Sequence, residues 1–169
     1  LLSLVYTTAF TDSKHYSIAT GAQNSVTDSQ GDSQLHNAKL DYQTPFGLKA
    51  GVAFTSYHSP GSQLLYSTMG TETMNFLSRD NQQINQWRFY AGQEHTLGKG
   101  WGLKNGMAYT TALDHSYQKY YDPDTDHLLP DNNMAARRRE QTLNVYAGLN
   151  KSFGDKLSAD VSLAAEQYH

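Results

Sequence analysis

The chain has 169 residues, a net charge of −3, 38% hydrophobic residues, 12 tyrosines, 13 glycines and no cysteine. Mean hydropathy is −0.66, and no apolar run approaches the ~18 residues of a spanning helix. That excludes a helical membrane protein, but not a transmembrane barrel, in which half of every strand is polar. The lack of thiols excludes disulfides and thiolate metal sites, and no basic block is large enough to suggest a nucleic acid partner.

In chain order, Leu1 to Phe10 reads as a first strand, with Leu2, Leu4 and Tyr6 on one phase. Thr11-Asp12-Ser13-Lys14 reads as a tight turn, and His15 to about Asn24 as the return. Ser25 to Ser33 is polar and contains glycine, the signature of a loop. Gln34 to Thr44 alternates again, Leu40 and Tyr42 against Lys39 and Asp41, and Pro45-Phe46-Gly47 turns the chain into Leu48, Ala50, Val52 and Phe54. His58 to Gln82 is a long polar stretch in which 64–69 and 73–77 could extend the sheet. Gln83 to Leu97 sets Trp87, Phe89 and Ala91 against Arg88, Tyr90 and Gly92. After Gly98-Lys99-Gly100, the segment Trp101 to Leu113 alternates once more. Asp114 to Ala136 reads as another long polar loop.

The last hairpin, Gln141 to Tyr168, is the clearest. Leu143, Val145, Ala147 and Leu149 alternate with Asn144, Tyr146, Gly148 and Asn150. Beyond a turn at Phe153-Gly154-Asp155-Lys156, Leu157, Ala159, Val161, Leu163 and Ala165 alternate with Ser158, Asp160, Ser162, Ala164 and Glu166. Period two gives a strand one apolar and one polar face. Each limb exceeds the ~9–11 residues of a tilted membrane-crossing strand, whereas strands of soluble domains run to about 5–6. On this hairpin alone, a soluble sandwich strand with one wet face stands equally well.

Three further patterns favour the membrane. The predicted strands number about eight, with short turns and long loops in strict alternation, as in outer-membrane barrels. The mid-strand charges Lys39, Asp41, Lys49, Arg88, Glu94, Lys104, Asp160 and Glu166 all fall on the polar phase, and the apolar-phase exceptions His36, His95 and Lys151 lie near strand ends, with Asn105 the least comfortable. Aromatics flank both kinds of connection: Phe10, Tyr16, Tyr42, Phe46, Trp101 and Phe153 the short turns, and Tyr57, Tyr66, Tyr117, Tyr120 and Tyr121 the long loops. The fold expected is therefore all-β: one antiparallel up-and-down meander over residues 1–169, forming part of a transmembrane β-barrel. In this reading both chain ends lie on the long-loop side. A complete bacterial barrel has its ends on the short-turn side, so this polarity implies a piece of a larger barrel, cut in two outer loops; the lack of a signal peptide fits either its removal or an internal piece.

The hairpin wording "FGLKAGVAF", "HTLGKGWGLKNGMAY" and "NVYAGLNKSFGDKLSADVSLAAEQY" resembles the barrel segment of TonB-dependent outer-membrane receptors, most nearly the outer-membrane β-barrel family common in Bacteroidetes. The resemblance covers most of 34–169, though many outer-membrane barrels share the pattern. It implies a bacterial outer-membrane location and import of a nutrient such as an iron chelate, haem or glycan. It also implies as partners the membrane lipid, the rest of the parent barrel with its plug and, indirectly, TonB. No plug-like segment or TonB box is visible, no enzymatic chemistry is expected and no cofactor is implied. A soluble barrel or sandwich that binds a small apolar ligand, and a complete small barrel, are the alternatives.

Candidate sites follow from phase. Lys39, Asp41, Lys49, Arg88, Tyr90, Glu94, Lys104, Asn144, Tyr146, Asp160 and Glu166 would face a lumen, and Leu143, Val145, Leu149, Val161 and Leu163 would face lipid. Tyr120, Tyr121 and Asp122 form a loop tip that could touch ligand. Arg137 and Arg139 share the phase of Leu143 and could meet lipid phosphates, or simply end the membrane segment. Asp122, Asp124, Asp126 and Asp131 resemble the start of a calcium loop, but His127 stands where glycine is needed and Asn133 where the bidentate glutamate belongs. No metal site is expected, and Gly98, Gly100 and Gly102 precede a strand, not a phosphate-binding helix.

Overall fold

The computed structural model describes residues 1–153 and 157–169. It forms a single seven-stranded antiparallel sheet in which each strand pairs with its sequence neighbours. The strands are β1 (Leu2–Ala19), β2 (Asn24–Gln43), β3 (Leu48–Met69), β4 (Glu72–Gly98), β5 (Trp101–Tyr121), β6 (Met134–Phe153) and β7 (Leu157–Tyr168). The all-β meander expected from alternation is present, with seven strands in place of eight.

The missing strand is at the start. Thr11 to Lys14 is not a turn; β1 runs straight through it, pairing Thr11 with Ser33 and Lys14 with Gln30. The reversal comes at 20–23, where the Gly21 amide donates to Asn24 Oδ1 at 3.2 Å. The expected loop at 25–33 is the first half of β2. Likewise 58–82 is strand except at its tip, and the loop expected over 114–136 shrinks to 122–133. The long polar stretches are strand extensions in which both faces carry polar residues, so alternation fades. The correction also moves a chain end. Leu1 lies beside the 44–47 turn, its ammonium donating to the Gln43 carbonyl at 2.7 Å, so the two ends are not both on the long-loop side.

The turns follow from local chemistry. Met69 pairs with Glu72 around Gly70-Thr71, with Gly70 at φ 62°, as a type II′ turn requires. Lys99 and Gly100 both have positive φ, 50° and 76°, the demand of a type I′ turn, and Leu97 bulges beside them. At 45–47, Gly47 takes φ 88° and the Thr44 amide donates to the Leu48 carbonyl at 2.9 Å. The turn expected at 153–156 lies, beyond Phe153, outside the described residues.

Register sorts side chains into two faces. One row reads Asp41, Gly51, Tyr90, Ala108, Asn144, Glu166; the adjacent row on the other face reads Leu4, Leu40, Val52, Phe89, Tyr109, Leu143, Gln167. Among the described residues no apolar side chain is buried: Leu149 is 46% exposed, Val145 47%, Val161 71% and Leu163 78%. The sheet exposes 12202 Å², against about 8,300 Å² for a compact 18.9 kDa monomer. Leu143, Val145, Val161 and Leu163 are not in a dry core, as a soluble sandwich would need.

Candidate functional site

All the residues expected to face a lumen share the polar face. Lys39 and Arg88 sit across Ala53, Lys49 lines up with Gly92, Gly106 and Tyr146, Glu94 is opposite Lys104, and Asp160 is opposite Asn150. The centre of this face is a small cluster. Lys39 Nζ pairs with Asp41 Oδ2 at 2.8 Å, the Tyr90 hydroxyl donates to Asp41 Oδ1, and Lys39 and Arg88 approach the Tyr90 ring at 5.6 and 5.9 Å. Glu94 and Lys104, though directly opposed, form no ion pair; the contacts made run along β2, from Lys39 to Asp41, and straight across Gly51 of β3, from Tyr90 to Asp41.

The glycines inside the strands explain how long side chains fit here. Gly51, Gly92, Gly102 and Gly106 all lie on the polar face. Tyr90 lies over Gly51, Asn150 over Gly102, and Tyr146 over Gly106 and Gly92, where an added Cβ would come within 2.6 and 2.8 Å of the tyrosine. Higher on the same face, Arg138 bridges Asp114 at 3.7 Å and Glu140 at 3.1 Å beside a hollow of about 270 Å³ lined by Gln86, Thr110 and Thr142. Further up, Tyr120 packs edge-on against Phe76 at 5.3 Å.

The 122–133 segment is built on Asp122. Its Oδ1 accepts from the amides of Asp124 and Thr125 and from the Thr125 hydroxyl, at 3.0, 2.9 and 2.8 Å. The Thr125 bonds are the main reason its carboxyl is held below the usual aspartate range. Asp126 pairs with Arg79 at 2.8 Å, and the Arg79 guanidinium lies 4.6 Å above the Tyr121 ring. Asp122 and Asp126 are thus committed to protein partners, and Asn133 Oδ1 accepts from the Tyr120 amide. Tyr120 and Tyr121 are the last residues of β5, not the loop tip, and Asp122 is a turn-former.

The apolar face carries two aromatic rims. At one, Trp87 packs on Phe54 at 4.5 Å and His36 is held by the Tyr6 hydroxyl at 2.8 Å with Phe10 edge-on. At the other, Lys151 reaches over Trp101 and Phe153 at 5.0 and 5.7 Å and donates to the Lys99 carbonyl, so its ammonium leaves the apolar band for the turn. Phe10 and Tyr16, expected beside a short turn, stand instead on the upper half of β1. Thr111 pairs with Trp87, so ten steps of β5 from Trp101 separate the rims. That is about 34 Å along the strand. Asn105 lies within this band opposite Gln93, its polar neighbour. Between the rims, Ala50 and Ala91 floor a shallow groove of about 410 Å³ walled by Tyr42, Phe89, Met107 and Tyr109.

No family model matches the chain, and no curated protein matches it. Solved structures do. The chain aligns over 88% of its length with the ferric citrate transporter FecA in its unliganded form, at TM-score 0.55 and 11% identity, covering 24% of that chain. It aligns over 99% with the ferric yersiniabactin uptake receptor FyuA from Yersinia pestis, at TM-score 0.52 and 7% identity, covering 30% of that chain. Neither match bears on the Bacteroidetes resemblance. The chain spans about a quarter to a third of the structures it matches, and what it shares with them is the fold, an antiparallel β-meander.

Proposed function

We propose that this sheet is a section of the barrel wall of a TonB-dependent outer-membrane receptor that imports a scarce nutrient, an iron chelate, haem or a glycan. Its apolar face meets lipid and its polar face lines the lumen. The observation that carries the reading is the unpacked apolar face between two aromatic rims about 34 Å apart along the strand, a spacing that at the usual tilt of about 40° would rise about 26 Å, close to the ~25 Å band of outer-membrane barrels. The glycines support the same orientation, because side chains crowd on the concave side of a curved sheet, and it is on the polar face that Tyr90 and Tyr146 need glycine beneath them. Transport here needs no bond-making step by this chain. Side chains of the polar face, and the 122–133 segment with Tyr120, Tyr121 and Asp122 at its base, would contact the passing ligand. Release would depend on a plug and TonB outside this sheet.

The absence of native cysteine makes the test direct. Single cysteines placed along 143–150 and 157–166 carry a nitroxide in the full-length protein, reconstituted in vesicles. Oxygen dissolved in the bilayer should relax the labels of the Leu143 and Val161 phase, and a water-soluble relaxer those of the Asn144 and Asp160 phase. Labels at 143, 145, 161 and 163 shielded from both agents would mean a packed protein core and end the proposal.

A further inference from the structure

The face that carries the aromatic rims has a second apolar area, much higher on the wall. Tyr16, Leu64, Leu77 and Tyr121 share one row of that face, and Ile18 and Tyr66 the next. Tyr16, Ile18 and Tyr66 are exposed. Leu77 stands ten residues along β4 from Trp87, about 34 Å. Between the two, the β4 side chains of this face are Arg79, Asn81, Gln83 and Asn85, all polar. In the barrel reading the upper area is therefore turned outward beyond the reach of lipid, where exposed apolar surface marks an interaction site.

Charge frames this area from its two sides. In the upper half of this face, β1 and β2 carry Asp12, Asp28 and Asp32 with one base, Lys14. On the same face β4 to β6 carry Arg79, Lys119, Arg137 and Arg139, with no acid inside a strand. Between them, β3 presents Pro60, Ser62, Leu64 and Tyr66, none of them charged. Asp12 and Asp32 are directly opposed, an arrangement that costs stability when left alone. None of the three aspartates forms an ion pair among the described residues, and neither does Lys119, whereas Arg79 is held by Asp126.

A neutral centre with an acidic flank and a basic flank is complementary to itself. Two faces that meet head-on exchange left and right. A two-fold axis along the membrane normal, passing at β3, therefore sets the acidic flank of one barrel against the basic flank of the other. It also lays Leu64 and Tyr66 near their own mates, as an isologous contact requires. Barrels inserted the same way round in one membrane can be related by a two-fold axis of this direction and no other. Two convex walls touch along the axis and diverge to either side. The apolar centre then makes the contact, and the flanks act across a wider gap as peripheral charges that fix orientation.

We infer that the upper outward face, centred on β3, docks a second copy of the same receptor. The inference rests on the barrel reading, which supplies the common orientation, and adds a partner to it.

The test uses the full-length protein with Ser62→Cys, reconstituted in vesicles at low density and treated with a short bismaleimide. Covalent dimer is read on a denaturing gel. Ser62→Cys should yield dimer, and Val161→Cys, far off on β7, should not. Adding D28K/D32K makes both flanks basic, and adding K119E/R137E makes both acidic. Each such variant alone should give on the order of tenfold less dimer, and a mixture of the two should recover the yield as a heterodimer. Undiminished dimer in either charge variant alone, or no recovery on mixing variants that insert as the parent does, overturns the inference. So does a Ser62→Cys protein that stays monomeric in a correctly inserted barrel, which leaves the barrel reading standing. A protein that does not insert at all overturns both.

Discussion

A Cβ added at Gly106 would lie 2.6 Å from the Tyr146 ring. Forcing a methyl into that contact pushes the ring off its seat, and overpacking of this kind costs about 1–3 kcal/mol. Gly106→Ala is therefore expected to lower the urea midpoint of the folded protein in detergent, and Tyr146→Ala in the same chain to recover part of the loss. A double-mutant cycle with no coupling between the two would mean that the ring does not lie over the glycine. Asp122 offers a pH handle at the same scale. Its folded carboxyl is held down by Thr125, so its contribution to the loop is present above the ordinary aspartate pKa and lost as pH falls through the lower, folded value. Amide exchange across 122–133 should accelerate in acid below pH of about 4, and Asp122→Ala should show the fast exchange already at neutral pH.

Alternation is the property of a whole strand, and its test belongs there. Val161→Arg puts a charge on the face read as lipid-facing and should cost about 2–4 kcal/mol, whereas Ser162→Arg, one step along β7, should be nearly neutral; refolding into vesicles with denaturant titration measures both. Where a strand has one wet and one greasy face, its existence and orientation were legible in the residues: Leu143 to Leu149, Val161 to Ala165 and Trp87 to Ala91 sort as expected. Where both faces are wet, the signal vanishes. Thr11-Asp12-Ser13-Lys14 has the composition of a turn, yet it is simply a polar length of β1. The true reversal, at 20–23, holds Gly21, but Ala22 keeps the phase of Tyr16 and Ile18, so the residues alone read as a continuing strand. Tyr120 and Tyr121 were misplaced for the same reason, since β5 continues through polar sequence to its end. The Tyr90–Asp41–Lys39 cluster was legible only as a shared phase; which partners meet depends on the register that puts Tyr90 and Asp41 in one row across Gly51, and sequence spacing does not report that.

At the scale of the molecule, β4 at 27 residues is about 90 Å long, far more than the ~9–11 residues with which a tilted strand crosses a bilayer. The sheet also has two unpaired edges, along β1 and β7, and a fully exposed apolar face. Produced alone, the 169-residue chain is expected to self-associate through those edges; sedimentation in mild detergent would report a broad distribution of oligomers, and a sharp monomer would contradict the open sheet. One feature of the polar face bears on the bore of any channel this wall encloses. Since Tyr90 and Tyr146 are each seated on glycine of the adjoining strand, the approach of ring to backbone is set locally, pair by pair. Were such a wall to close into a barrel, the spacing of tyrosine and glycine would help to set its radius.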